Sequence, residues 1–110
     1  MHQQELLKGN TETLLLALVE MEPMYGYQIV KEVEQRSSGY FARKEGTLYP
    51  ALHRLERDSL VEGRWRDTPN GVRRRYYYIT NKGRKTLEDR LHEWQRFSRA
   101  MNSVMLPELE

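Results

Sequence analysis

The chain has 110 residues, of which 38% are hydrophobic and 31% charged, with a net charge of +2 and no cysteine. That length fits one domain with an appended element, and a core so small gains from dimerisation. Disulfides and thiolate metal sites are excluded, no apolar run is long enough to span a membrane, and the opening MHQQELLKGN lacks the basic-then-apolar pattern of a secretory signal, so the expectation is a soluble cytoplasmic protein without a membrane partner.

The charge is unevenly spread. Residues 61–80 carry five arginines against Glu62 and Asp67, whereas residues 1–22 carry Lys8 against Glu5, Glu12, Glu20 and Glu22. A basic excess confined to one short segment is the footprint expected of a nucleic-acid contact.

The first periodic segment runs from about Leu6 to Met21, around the run Leu14 to Val19. Such a run is compatible with a buried strand, but its length and leucine content favour a helix, which Pro23 ends. A second helix is predicted from Tyr25-Gly26 to about Arg36, with Tyr27, Val30 and Val33 at helical spacing and Ser37-Ser38-Gly39 as its break. In the third helix Thr47 is the expected N-cap, with Pro50 in the first turn where its missing N–H costs little. At about 100° per residue, Leu48, Ala51, Leu52 and Leu55 share one face. Pro50, His53, Arg54 and Arg57 occupy the opposite face, with Tyr49 on the flank.

The period then changes. Val61, Gly63 and Trp65 alternate with Glu62, Arg64 and Arg66, and Arg75, Tyr77 and Ile79 alternate with Arg74, Tyr76 and Tyr78. Both stretches read as strands, and Asn70-Gly71 between them is a hairpin signal. From Thr80 a last helix begins, capped by Thr80 or Asn81. Leu87, Leu91, Trp94, Met101 and Met105 recur along it at seam-like spacing, with Ser98 at one polar position, and Leu106-Pro107 ends it. A second subunit is the natural partner for that seam.

The fold expected is therefore mainly α with a small β-hairpin: a winged helix-turn-helix DNA-binding domain over residues 1–80, then a C-terminal dimerisation helix over residues 81–110. The third helix suits the major groove of double-stranded DNA, with the hairpin as a wing on the phosphate backbone. Arg73, Arg74 and Arg75 supply fork-shaped donors for phosphates. Arg54, His53, Tyr49 and Pro50 are the candidates for base contacts. Tyr25 either anchors the second helix or touches a phosphate.

Three motifs carry a family resemblance: Tyr25-Gly26-Tyr27-Gln28-Ile29, then Gly46-Thr47-Leu48-Tyr49-Pro50-Ala51-Leu52-His53-Arg54-Leu55-Glu56, then Gly71-Val72-Arg73-Arg74-Arg75-Tyr76-Tyr77-Tyr78-Ile79-Thr80. Through them the chain resembles the PadR family of bacterial transcriptional regulators, in its short subgroup with a single C-terminal dimerisation helix. Val72 departs from the glycine or proline common there. The resemblance implies a homodimer on an inverted-repeat operator, usually a repressor. The DNA-binding set so implied is Tyr25, Lys44, Thr47, Tyr49, Pro50, His53, Arg54, Arg73, Arg74 and Arg75.

Glu93-Trp94-Gln95-Arg96-Phe97 also resembles the dimer-helix segment of multidrug-responsive PadR-like repressors, in which one tryptophan per subunit sandwiches a flat aromatic ligand. That implies a candidate small-molecule effector, aromatic or cationic, at Trp94 and Phe97, facing Lys8, Thr11 and Glu12. Packing between subunits is the other role open to Trp94. His2, His53 and His92 lie far apart, and no nucleophile motif or glycine-rich phosphate loop occurs, so the reading is non-enzymatic, with no cofactor and no metal. The alternative function is a winged-helix protein-interaction module without sequence-specific DNA binding.

Overall fold

The computed structural model of the chain describes residues 6–109, so His2 and Glu5 lie outside the described residues. In chain order the elements are α1 (Thr11–Met21), β1 (Met24–Tyr25), α2 (Gly26–Arg36), α3 (Glu45–Arg57), β2 (Val61–Asp67), β3 (Arg73–Ile79) and α4 (Asn81–Met105), followed by a 3-10 turn at Pro107–Leu109. The three strands form an antiparallel sheet with β3 in the middle.

The segment expected as one helix from Leu6 to Met21 is broken. Leu6 and Leu7 are helical, residues 8–10 turn, and α1 starts at Thr11. Gly9 adopts φ +85°, the left-handed conformation that ends a helical turn at little cost for glycine. The Thr11 hydroxyl donates to the Leu7 carbonyl at 3.2 Å, satisfying one of the acceptors that this break exposes.

α1 explains its own unpatterned leucine run. It lies against α3, α4 and β3 together, and a helix covered on several sides needs apolar residues on several sides. Leu15, Leu16, Leu18 and Val19 are buried there with Ile29, Val30 and Val33 of α2, the α3 set Leu48, Ala51, Leu52 and Leu55, and Val61 and Tyr77 of the sheet. Leu87 of α4 belongs to the same core.

Two local expectations change. α3 begins at Glu45 rather than after Thr47, with Lys44 in the capping position and no side-chain cap. The backbone carbonyl of Lys44 accepts from both Thr47 and Leu48, so the chain is already helical where a Thr47 cap would need extended dihedrals. Pro50 consequently sits inside the helix, past its first turn. The carbonyl it leaves without a donor is that of Gly46, on the exposed face. The second change is β1, a two-residue strand paired Met24↔Tyr77 and Tyr25↔Tyr76, too short for periodicity to reveal.

At the wing tip, Gly71 N–H donates to the Thr68 carbonyl and Thr68 N–H to the Val72 carbonyl, both at 2.9 Å. Pro69 and Asn70 are thus the central pair of the turn. Gly71 follows them at φ +82°, so Asn-Gly marks the turn but does not form its centre. Thr80 resolves the choice of cap for α4. Its Oγ1 accepts from Gly83 N–H at 3.0 Å and donates to the Ser59 carbonyl at 2.7 Å.

Candidate nucleic-acid interface

α3 turns its four apolar residues into the core and leaves Gly46, Pro50, His53, Arg54 and Arg57 exposed. The exposed residues do not all point the same way. Pro50, His53 and Arg57 lie directly opposite the core, whereas Thr47 and Arg54 lie on one flank and Tyr49 and Glu56 on the other. Arg57 donates through Nε to Asp58 at 3.1 Å, which raises the pKa of the arginine and lowers that of the aspartate.

The Tyr49 flank packs on α2. A Cβ at Gly26 would come within 2.7 Å of Tyr49 Cε1, so only glycine lets the ring lie this close. Burial, then the Glu45 carboxylate, push the Tyr49 phenol above its ordinary pKa. On the same flank Glu56 accepts a short hydrogen bond from Arg75 Nη2, which raises the arginine's pKa. The Arg75 side chain reaches it by crossing β2 at Gly63, where any Cβ would collide with the guanidinium. Arg75 therefore ties the wing to α3.

On the opposite flank, Arg54 donates through Nε to Glu12 Oε2 at 3.2 Å. Glu12 Oε1 accepts from Arg90 Nη1 of α4, also at 3.2 Å.

The wing sorts its arginines by pleat. The register sets Asp67↔Arg73, Trp65↔Arg75, Gly63↔Tyr77 and Val61↔Ile79 on the core-side face. Arg66↔Arg74, Arg64↔Tyr76, Glu62↔Tyr78 and Tyr25↔Tyr76 share the outer face. The run Arg73-Arg74-Arg75 is thus split, and Arg73 pairs with Asp67 at 3.7 Å. On the outer face, Arg64 lies 4.4 Å over the Tyr78 ring, Arg66 4.0 Å over Tyr76 and Arg74 4.5 Å over Tyr25. Tyr25 and Tyr76 meet edge to face. Each ring holds a guanidinium plane by cation–π attraction while leaving edge N–H donors available. Arg64 has Glu62 at 2.6 Å, whereas neither Arg66 nor Arg74 has a carboxylate partner among the described residues. Arg64 and Arg66 were missed in the sequence. Their shared parity with Arg74 across a hairpin of this register was the signal that marks them.

α4 leaves the core after Leu87, which is 2% exposed and so unavailable to the seam on which it was expected. The exposed apolar face begins at Leu91 and continues through Trp94, Phe97, Met101, Val104 and Met105. Trp94 and Phe97 have centroids 6.2 Å apart. Beside them a cavity of about 400 Å³ is lined by Lys8, Gly9, Asn10, Thr13, Arg90, Glu93, Trp94 and Phe97. Of the expected facing residues, Lys8 lines this cavity, while Thr11 and Glu12 line the adjoining one with Arg54. Both Glu12 oxygens are taken by arginines, so the carboxylate that a cationic ligand would use is already paired.

Residues 15–89 match the transcriptional regulator PadR-like family. The chain belongs to that family. The PadR-like regulator of Bacillus cereus, 30% identical, superposes with a TM-score of 0.83 over 93% of this chain and 97% of its own. An uncharacterised protein of Lysinibacillus sphaericus is 33% identical over 86% of both chains. Bacillus subtilis PadR, solved in complex with operator DNA, is 20% identical with a TM-score of 0.66, covering 76% of this chain and 47% of that one, and the likeness is one of fold. PadR-like membership makes this the fold of a DNA-binding transcription regulator, with no helix among the described residues long and apolar enough to cross a membrane. Among those residues no cluster of three or more histidines or carboxylates is placed to hold a metal.

Proposed function

We propose that the protein is a cytoplasmic, homodimeric repressor that binds an inverted-repeat operator in double-stranded DNA. The observation that carries the reading is the pairing of one exposed helix face with one arginine-bearing sheet face on a common core. Pro50, His53 and the free Nη groups of Arg54 supply base contacts in the major groove. Arg64, Arg66 and Arg74, laid on tyrosines, supply phosphate contacts that set register but read no sequence. Thr47, Tyr49 and Lys44, half-buried around the start of α3, act at its margins.

The dimer reading rests on the α4 face from Leu91 to Met105. Val104 is 82% exposed and Trp94 46%, and an apolar stripe of this length is what a second subunit covers. Two copies related by a two-fold axis present two reading helices, which an inverted repeat matches. A dimer seated across a promoter blocks its use, hence repression. Residues 1–80 then act as the DNA-binding part and residues 81–110 as the coupling between copies.

A flat aromatic effector fits between the Trp94 side chains of the two subunits, where ring stacking supplies the attraction. Trp94 quenching on titration with flat aromatic compounds, measured in a Trp65→Phe background, tests this. Binding of the same compounds that is unchanged by Trp94→Ala, measured by titration calorimetry because that variant of the background has no tryptophan left, removes the stacking site. The DNA reading is tested by gel shift with the fragment upstream of the protein's own gene. A salt-sensitive, sequence-selective shift is expected, and its absence at micromolar protein overturns the proposal.

A further inference from the structure

Glu12 stands where three elements meet. From α1 it engages Arg54 of α3 with one carboxylate oxygen and Arg90 of α4 with the other, each at 3.2 Å. The surrounding cleft of about 580 Å³ is lined by Lys8, Gly9, Thr11, Thr47, Arg54 and Arg90 besides Glu12 itself. Two arginines thus share the single carboxylate of that lining, and Lys8 lines the same cleft. The Glu12 side chain is 23% exposed, against 46% for Arg54 and 39% for Arg90, so the anion is the most sheltered of the three.

The way Arg54 is held matters. Its bond to Glu12 runs through Nε, leaving the Nη donors at the far end of the fork unused by the carboxylate. A guanidinium held by Nε has a fixed plane and direction. A long arginine without such a partner samples many rotamers and pairs with whatever phosphate is nearest. The carboxylate also sets a negative charge beside the recognition helix, which disfavours close approach to phosphates that are not matched by directed contacts.

We infer that Glu12 is a positioning residue for DNA readout: it aims the Arg54 guanidinium and, through Arg90, makes that aim depend on the place of α4. The inference rests on the DNA-binding reading above. It assigns Glu12 a part in discriminating between sequences, with no contact of its own to the bases.

The test uses the full-length protein and two duplexes of equal length. One carries the sequence that the wild-type protein enriches from a randomised library, and the other is its scrambled counterpart. Glu12→Gln is expected to lower the ratio of the two affinities about tenfold, in the range of one lost base contact. Binding to the scrambled duplex is expected to tighten, with a salt slope steeper by about 0.9 as Arg54 takes up one more phosphate. In an Arg54→Gln background the same Glu12 substitution leaves the affinity ratio unchanged. Glu12→Asp keeps the charge but draws the carboxylate back from Arg54 Nε, and reproduces the loss of discrimination. That variant carries the test if circular dichroism shows Glu12→Gln unfolded.

An unchanged affinity ratio overturns the inference, as does a Glu12 effect of equal size with Arg54 absent. A wild-type protein that enriches no sequence overturns the DNA reading itself, a separate result from a wild type that discriminates and a Glu12→Gln variant that discriminates equally well.

Discussion

Replacing Gly83 with alanine tests how tightly α4 is seated on the wing. Helix propensity alone favours the change, since alanine is about 1 kcal/mol better than glycine inside a helix. The surroundings of Gly83 reverse that sign. It is buried in the first turn of α4, where a Cβ would collide with the Leu60 carbonyl oxygen and lie 2.8 Å from Ile79 Cγ1. The carbonyl cannot retreat freely, because it also accepts Thr80 N–H at 3.1 Å. Overpacking of this kind costs about 1–3 kcal/mol, and a weakened hydrogen bond adds about 1 kcal/mol. After subtracting the propensity gain, the expected loss is about 1–3 kcal/mol. For a domain near this size that lowers Tm by roughly 4–8 °C per kcal/mol. Thermal unfolding measures it, with every variant at one fixed protein concentration because any self-association makes Tm concentration-dependent. Gly46→Ala is the control. Nothing lies within 4 Å of its Cβ, so there the propensity gain stands alone and Tm rises. Equal gains at positions 46 and 83 would refute the close seating of α4 on Leu60.

Other outcomes follow from the wing and the seam. The triple variant Arg64→Ala, Arg66→Ala, Arg74→Ala should reduce the salt slope of DNA binding by up to about 3, at about 0.9 per phosphate contact. An unchanged slope in fluorescence anisotropy across a salt series removes the outer sheet face from the interface. Breaking the Glu56–Arg75 pair by Arg75→Ala should cost under about 1 kcal/mol, as both partners are about a third exposed. Faster amide exchange in β2 and β3 is its signature, and exchange rates equal to wild type would dismiss the tie between wing and α3. Met101→Glu places a charge on the apolar face of α4 and should halve the mass seen by sedimentation, with weaker operator binding. A dimeric Met101→Glu variant would mean that the partner covers a different surface. Gly71→Ala, at φ +82°, should cost about 1–2 kcal/mol, the penalty of a left-handed non-glycine residue, and a neutral result would contradict the turn.

Several of these features are local, and local chemistry is legible in sequence. The α3 apolar face, the strand alternation and the Pro69-Asn70-Gly71 tip follow from periods of 3.6 and 2 and from residues suited to a turn. The order of helices and wing was readable for the same reason. Gly9 was readable in principle, yet the leucines on either side of it read as one continuous helix. β1 was not readable, because two residues carry no period and become a strand only when β3 offers them an edge. Thr47 suggested a cap by its type, while the capping position fell to Lys44.

The candidate site divides along the same line. Sequence by itself determined the type and number of cations near the wing, the polar face of α3 and the apolar stripe of α4. Tertiary structure alone decided what each cation does. Arg73, Arg74 and Arg75 are neighbours in the chain, but the pleat sends Arg74 to one face and Arg73 and Arg75 to the other. Arg75 then finds Glu56, nineteen residues away, and Arg54 finds Glu12, forty-two residues away. Leu87 has the spacing of a seam residue but is buried in the core of its own chain. The physical reason is range: dihedral preference and side-chain period act over a few residues, whereas ion pairing and burial depend on which distant segments the completed core brings together.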